Sequence, residues 1–217
     1  MYNPPHFQEQ DPDIITHMID SGGLATLVSN GADGVPDITH LPLILDQHQG
    51  PHGTLYGHFA KANPHWQKLQ SANKAIAVFS GPDAYISPNW YANKPVHHKV
   101  VPTWNYEVVH ALCTVEIFAD PERLLALVTR LTEFHERSQL HPWAINQAPE
   151  DFIAAKLKGI VGVGLHIESI EAKRKLSQNQ QDVDRAGVRN ALALSTHSQD
   201  RLMAEHMDEL ENNRPKS

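Results

Sequence analysis

The chain has 217 residues, 41% of them hydrophobic and 20% charged, and carries a net charge of −7 at neutral pH with its histidines uncharged. Such content supports a sizeable core in one domain, or in one domain with an appendage. The acidic balance argues against a non-specific nucleic-acid binder, and no apolar run approaches the roughly 18 residues of a membrane span.

The N-terminal stretch MYNPPHFQEQDPD lacks the basic and apolar regions of a secretory leader, and the lone Cys113 excludes an intrachain disulfide. Both point to the cytoplasm. Residues 1–10, with Pro4-Pro5, read as an irregular arm. Asp11-Pro12 starts a helix, an N-cap followed by Pro at the first helical position, and Gly22-Gly23 ends it. Strands follow at 24–29 and 38–46, joined by a turn-rich hairpin loop at 30–36, with Pro42 marking a bulge in the second. A third strand covers 54–59. Asn63 then caps a short helix that runs to about residue 70.

The stretch 75–117 organises the chain. It predicts a strand at 76–80, a turn at Gly81-Pro82-Asp83, a short resumption at 85–87 and a long strand from Tyr106 to Phe118. On the long strand Val109, Ala111, Cys113, Val115 and Ile117 share one face, where Cys113 is a small hydrophobe. The segment between is rich in Pro, Lys and aromatics. It suits a planar ligand with a charged tail; the plainer reading, which composition alone favours, is a structural loop whose aromatics plug a barrel end.

Asp120-Pro121 opens the clearest helix, with Leu124, Leu127, Val128, Leu131 and Phe134 at helical spacing. A short helix at 150–158 stops at Gly159. The strand at 160–170 carries Gly162 and Gly164 on one face, which admits close approach of a backbone or side chain. Lys173-Arg174-Lys175 is a local basic patch. Residues 183–211 are helical by pattern, with one stripe at Val188, Ala191 and Leu192 and another at Met203, His206, Met207 and Leu210; 212–217 reads as a frayed tail. Without regular βαβ alternation this is an α+β chain, mainly β, an antiparallel barrel with peripheral helices. The organisation expected is a domain over 1–195 and a C-terminal helix and tail over 196–217.

Fifteen histidines raise the question of zinc. There is no HExxH and no Cys pair, however, and the adjacent His97 and His98 would point to opposite faces of a strand. No GxSxG marks a hydrolase. The Gly162/Gly164 pair lacks the third glycine and following helix of a dinucleotide fold. Phosphate binding is better served, because it needs cations, N–H groups and hydroxyls. Lys61 and Asn63 sit where a strand meets a helix N-terminus. Thr39, His40, Ser87, Lys99 and Lys173 are further polar candidates at strand ends, and Trp90, Tyr91, Trp104 and Tyr106 could flank a flavin ring.

The segments THLPLILD (39–46), GHFAKANPHW (57–66), FSGPDAYISPNWY (79–91), KVVPTWNYEVVHA (99–111), EAKRKLSQN (171–179) and DRAGV (184–188) resemble the PaiB-like family of FMN-binding negative transcriptional regulators. The resemblance spans about residues 1–195. It implies a split β-barrel of Greek-key type, like the pyridoxamine-phosphate-oxidase-like flavoproteins, with FMN in a cleft between the subunits of a homodimer. It places the FMN phosphate at Lys61 and Asn63, and the ring beside Thr39, His40 and the backbone of Leu41. Ser87, Trp90 and Lys99 follow from the central segment, and Lys173 and Lys175 from the KRKLSQN turn. Arg174 stands where the family pattern leads one to expect an aromatic. No helix-turn-helix is evident and the last helix is acidic, so a regulator acting through flavin or redox state is the first expectation. An FMN-dependent oxidoreductase is the second. A haem-binding split barrel, with a histidine of the 183–211 helices on iron, is the third.

Overall fold

A 3-10 turn at Pro5–Phe7 leads into β1 (Gln8–Glu9), followed by α1 (Pro12–Ser21), β2 (Leu24–Ser29), β3 (Asp37–Pro42), β4 (Ile44–Asp46), β5 (Thr54–Ala60), α2 (His65–Ala72) and β6 (Lys74–Ile86). A second 3-10 turn at Pro88–Trp90 and α3 (Lys94–His97) precede β7 (Thr103–Phe118), α4 (Pro121–Glu136), α5 (Glu150–Leu157), β8 (Ile160–Lys175), α6 (Asp182–Ala193) and α7 (Ser198–Asn212). This is a computed structural model that describes residues 1–31 and 33–212. Of the tail expected at 212–217, Asn212 is the last residue of α7, and 213–217 lie outside the described residues.

The chain forms two compact units. The sheet unit comprises Ile19–Phe79 and His110–Ile170; the terminal unit comprises Met1–Met18, Ser80–Val109 and Glu171–Ser217. In the sheet unit the strands follow the order β3-β2-β6-β7-β8-β5-β4. The β2–β3 hairpin aligns Leu24 with Pro42 and Thr26 with His40, and β5 runs antiparallel to β8 with Tyr56 opposite Gly164 and His58 opposite Gly162. The expected strand at 38–46 is broken at Leu43 into β3 and β4, next to Pro42. Gly57 accommodates that break, since a Cβ there would lie 2.7 Å from both Leu43 Cδ2 and Pro42 O.

Helix α4 lays Leu124, Leu127 and Leu131 against Ile44, Tyr56 and Phe118. Its N-cap is Asp120, whose Oδ1 accepts from Arg123 N at 2.9 Å. Gly162 is required beneath it: a Cβ would sit 2.3 Å from the Phe118 ring. The glycine face read from β8 is therefore an aromatic seat.

In the terminal unit the arm is not irregular. Gln8 and Glu9 pair with Lys173 and Ala172, which adds β1 to the end of β8. A core of Ile86, Tyr91, Leu176, Val188, Leu192, Met203 and Met207 joins the ends of β6 and β8 to α6 and α7. Both helical stripes read from the sequence face this core.

The turn at Gly81-Pro82-Asp83 does not form, because β6 runs unbroken from Lys74 to Ile86. Its pairing with β2 covers only Ile76–Val78, so Pro82 lies beyond that ladder, where a missing N–H is tolerated. Gly81 is there for space: a Cβ would lie 3.0 Å from Glu107 Cβ. The basic triplet is not a surface patch either. Lys173 and Arg174 are each 5% exposed at the end of β8.

Candidate functional site

Within the sheet unit, the ends of β3 and β5 and the start of α2 bring Thr39, Asn63 and His65 together. Asn63 Nδ2, which can only donate, gives a hydrogen bond to Thr39 Oγ1 at 3.3 Å. The Thr39 hydroxyl is hydrogen-bonded to His65 Nδ1 at 2.7 Å, and His65 Nε2 to Ser29 Oγ at 3.0 Å. Burial holds the His65 pKa below its ordinary value; Asp37 pulls it up and Lys68 pushes it down. Asn63 Oδ1 also accepts from His65 N at 3.0 Å, so it stabilises the helix start one residue earlier than a regular N-cap.

Lys61 is exposed at the end of β5. Its backbone N–H donates to Gly159 O at 2.8 Å and its carbonyl accepts from Trp66 Nε1 at 3.0 Å, which fix the main chain. Its amine has no partner among the described residues. His40 is exposed, with Nδ1 3.0 Å from Thr26 Oγ1, whereas the Leu41 side chain is buried, so only its backbone is available to a ligand. Asp37, the nearby carboxylate, is paired with Lys68 at 2.5 Å. A free lysine amine, a second Asn63 N–H and exposed strand-end groups suit an anion, and this donor set fits the phosphate of FMN.

Within the terminal unit, Ser87 Oγ accepts from Asn89 N at 3.2 Å and caps the 3-10 turn. Trp90 is half-buried against the helical core, and its carbonyl approaches Gly187 so closely that a Cβ there would be 2.2 Å away. Lys173 Nζ donates to Tyr2 O at 3.1 Å and lies 5.0 Å from the Tyr106 ring centroid. Lys175 Nζ donates to Thr103 Oγ1 at 2.6 Å and to Trp104 O. Lys99 and Lys175 line one cavity of about 240 Å³, together with Tyr91, Thr103, Asn105 and Ser177.

Arg174 is not a substitute for a ring-stacking aromatic. Its Nε bonds Glu107 Oε1 at 2.6 Å, and its Nη1 lies 3.7 Å from Glu9 Oε2. The other Glu107 oxygen is 2.8 Å from His206 Nδ1. Burial pushes the Glu107 carboxyl up, but the His206 hydrogen bond and the Arg174 and His206 charges outweigh it, so its pKa lies below the ordinary value. The bond to Glu107 raises His206 against its own burial, and the charges of Glu107 and Glu209 add to this. Sequence reading missed this cluster, although strict alternation on β7 already places Glu107 on the face of Val109 and Ala111. Cys113, on the same face, has its thiol pushed up to about 12 by burial, with Glu168 adding to the shift, and is inert packing. Among the described residues no group of His, Cys, Asp and Glu is arranged to hold a metal ion, and no helix is long and apolar enough to cross a membrane.

The antiparallel sheet with its peripheral helices has the split β-barrel fold. Residues 1–169 match the family model described as "Putative FMN-binding domain", and the chain belongs to that family, whose cofactor is FMN. It is 31% identical over 209 residues to "Protease synthase and sporulation protein PAI 2" of Bacillus subtilis, covering 96% of this chain and 97% of that one. The fold also matches the conserved hypothetical protein Rv2991 of Mycobacterium tuberculosis, with TM-score 0.59, 13% identity and coverage of 83% of this chain and 94% of that one. The flavocytochrome Anf3 of Azotobacter vinelandii matches with TM-score 0.56 and 15% identity, over 83% of this chain and 75% of that one.

Proposed function

We propose that this flavin-binding, PaiB-like protein is a cytoplasmic regulator that senses flavin or its redox state, with FMN held in a cleft between two copies of the chain. Kinship to PAI 2 along almost the whole of both chains carries the regulatory half of this reading. The phosphate is assigned to Lys61 and Asn63, with Thr39 held in place by His65 and with His40 and the Leu41 backbone beside the ring. Ser87, Trp90, Lys99, Lys173 and Lys175 are assigned to the remainder of the cleft. Of these, Lys173 acts indirectly, since its amine is engaged by Tyr2 O. Bound FMN supplies the electron chemistry; the protein's residues set its orientation and access.

A second copy is favoured by an exposed face in the sheet unit. Leu24, Ile38 and Ile76 are 61%, 58% and 39% exposed, and the β2–β3 and β2–β6 registers put them on one face with Thr26 and His40. Clustered apolar side chains on an open sheet face favour coverage by a partner. Ile38→Asp should leave monomer stability within about 0.5 kcal/mol, as surface changes usually do, while converting dimer to monomer in sedimentation. A wild-type monomer at micromolar concentration would refute the two-copy cleft.

Direct DNA reading is not part of this proposal. The net charge is −7 and the basic triplet is largely buried, so regulation is assigned to flavin-dependent contact with another component. A gel shift that weakens steeply with salt would overturn that assignment. Turnover of bound flavin by NADH or NADPH with an acceptor would instead make the protein an FMN oxidoreductase.

A further inference from the structure

The cavity of about 240 Å³ in the terminal unit has an unusual charge balance. Lys99 and Lys175 line it, and no carboxylate does; the other lining residues are Tyr91, Val100, Val101, Thr103, Asn105, Ser177, Asn179 and Gln180. Lys175 is anchored by neutral oxygens only, Thr103 Oγ1 and the Trp104 carbonyl. Neighbouring Lys173 is 5% exposed and bonds a neutral carbonyl of Tyr2. Neither lysine has a carboxylate partner among the described residues. Asp184, which acts electrostatically on Tyr91, is engaged by Asn93 N at 2.8 Å and Asn93 Nδ2 at 3.2 Å.

Buried positive charge without a counterion is costly, and natural proteins compensate it by pairing. The adjacent Arg174 shows the ordinary solution, with Glu107 at 2.6 Å. The lysines on either side of it do not follow that solution; Lys175 instead lines a cavity. The wall is also held in place by its own hydrogen bonds. Ser177 takes a left-handed conformation, φ 64°, and its hydroxyl donates to Asn105 Oδ1 at 3.1 Å. Asn105 is fully buried, and its Nδ2 is held by Met207 Sδ at 3.7 Å.

We infer that this cavity takes the oxyanion head, phosphate or carboxylate, of a small molecule, with Lys99 and Lys175 as its cations and the Leu176–Gln180 turn as its wall. At about 240 Å³ the cavity is more than a bare phosphate fills. The remainder, beside Val100, Val101 and Tyr91, suits an apolar or aromatic portion of the same molecule. Burial together with the charge of Lys173 lowers the Lys175 pKa, as expected of a cation that lacks its counter-charge. The inference rests on the flavin reading only in taking Lys99 and Lys175 as ligand residues. The oxyanion belongs to a molecule other than FMN, whose phosphate is assigned to Lys61 and Asn63.

The test is calorimetric titration of inorganic phosphate and of acetate into the FMN-free and FMN-saturated protein, in wild type, Lys175→Gln and Lys99→Glu. Lys99 is exposed, so its variant reports even if Lys175→Gln folds poorly. The expected result is binding of at least one anion to the FMN-free wild type, weakened about tenfold or more by each substitution, as loss of a charge-assisted contact implies. Persistence of that binding in the FMN-saturated protein identifies a separate molecule. Its loss there, with both variants weakening FMN but not riboflavin, would make the cavity the flavin's own phosphate site and overturns the inference. No anion binding to the FMN-free wild type, or equal binding by wild type and both variants, overturns the inference. If FMN fails to bind at all while the anion and the two variants behave as expected, the flavin reading falls and the oxyanion site stands.

Discussion

Glu107 shows what one side chain on an otherwise apolar strand face demands. It needs Gly81 beside it for space, Arg174 for charge and His206 from α7 for its second oxygen. Glu107→Gln leaves the Arg174 guanidinium buried with only Glu9, at 3.7 Å, as an ionic partner. By the usual cost of breaking a buried pair, urea unfolding should show a loss of about 3–5 kcal/mol. The pH dependence has a defined sign. His206 is raised from 6.5 in the folded chain, so its contribution is complete below pH 6.5 and is lost as pH rises through the higher folded value. Glu107 is lowered from 4.5, so its contribution is present above pH 4.5 and fades as pH falls through the folded value. His206→Gln should therefore flatten the fall in stability above pH 6.5, and an unchanged slope in that variant would exclude His206 as its source. The alternation of β7 made the position of Glu107 legible. Its partners come from β8 and α7, which local pattern does not connect.

At the scale of elements, strong local signals succeeded where packing agreed with them. The Asp120-Pro121 helix start, the β2–β3 hairpin and the stripes of α6 and α7 all combine capping or turn chemistry with a period that the core uses. Gly81-Pro82-Asp83 misled because glycine and proline favour turns by local preference. Here tertiary contact with Glu107 sets the need for glycine, and the end of β2 pairing tolerates proline. Pro4-Pro5 likewise hid β1, which exists only because the end of β8 offers it a ladder. The glycines of β8 give a direct check. Gly162→Val drives a side chain into the Phe118 ring and should destabilise by about 1–3 kcal/mol or more, read as a lower urea midpoint. Wild-type stability in this variant would mean that Phe118 does not rest on Gly162.

At the scale of the whole molecule, the chain is an FMN-binding split barrel of acidic charge, and its cations are used sparingly. Arg123 and Arg130 are paired with Glu116 and Asp46, Arg174 with Glu107, and Arg185 with Asp182 and Glu211. Against that background the lysines without carboxylate partners stand out as groups available to an anion. The place of Lys61 and Asn63, where a strand end meets a helix start, was legible in the sequence, and such a junction concentrates N–H groups. His65, which holds Thr39 in place, was not legible, because its other partner, Ser29, comes from a distant strand. The measurement that bears most directly on the account is fluorescence titration of FMN, with riboflavin as control, into wild type and Lys61→Ala. The account predicts FMN binding weaker by roughly 1.5–3 kcal/mol in the variant, as expected for a lost charge-assisted phosphate contact, and riboflavin binding unchanged. Equal FMN affinity in the two proteins would contradict it.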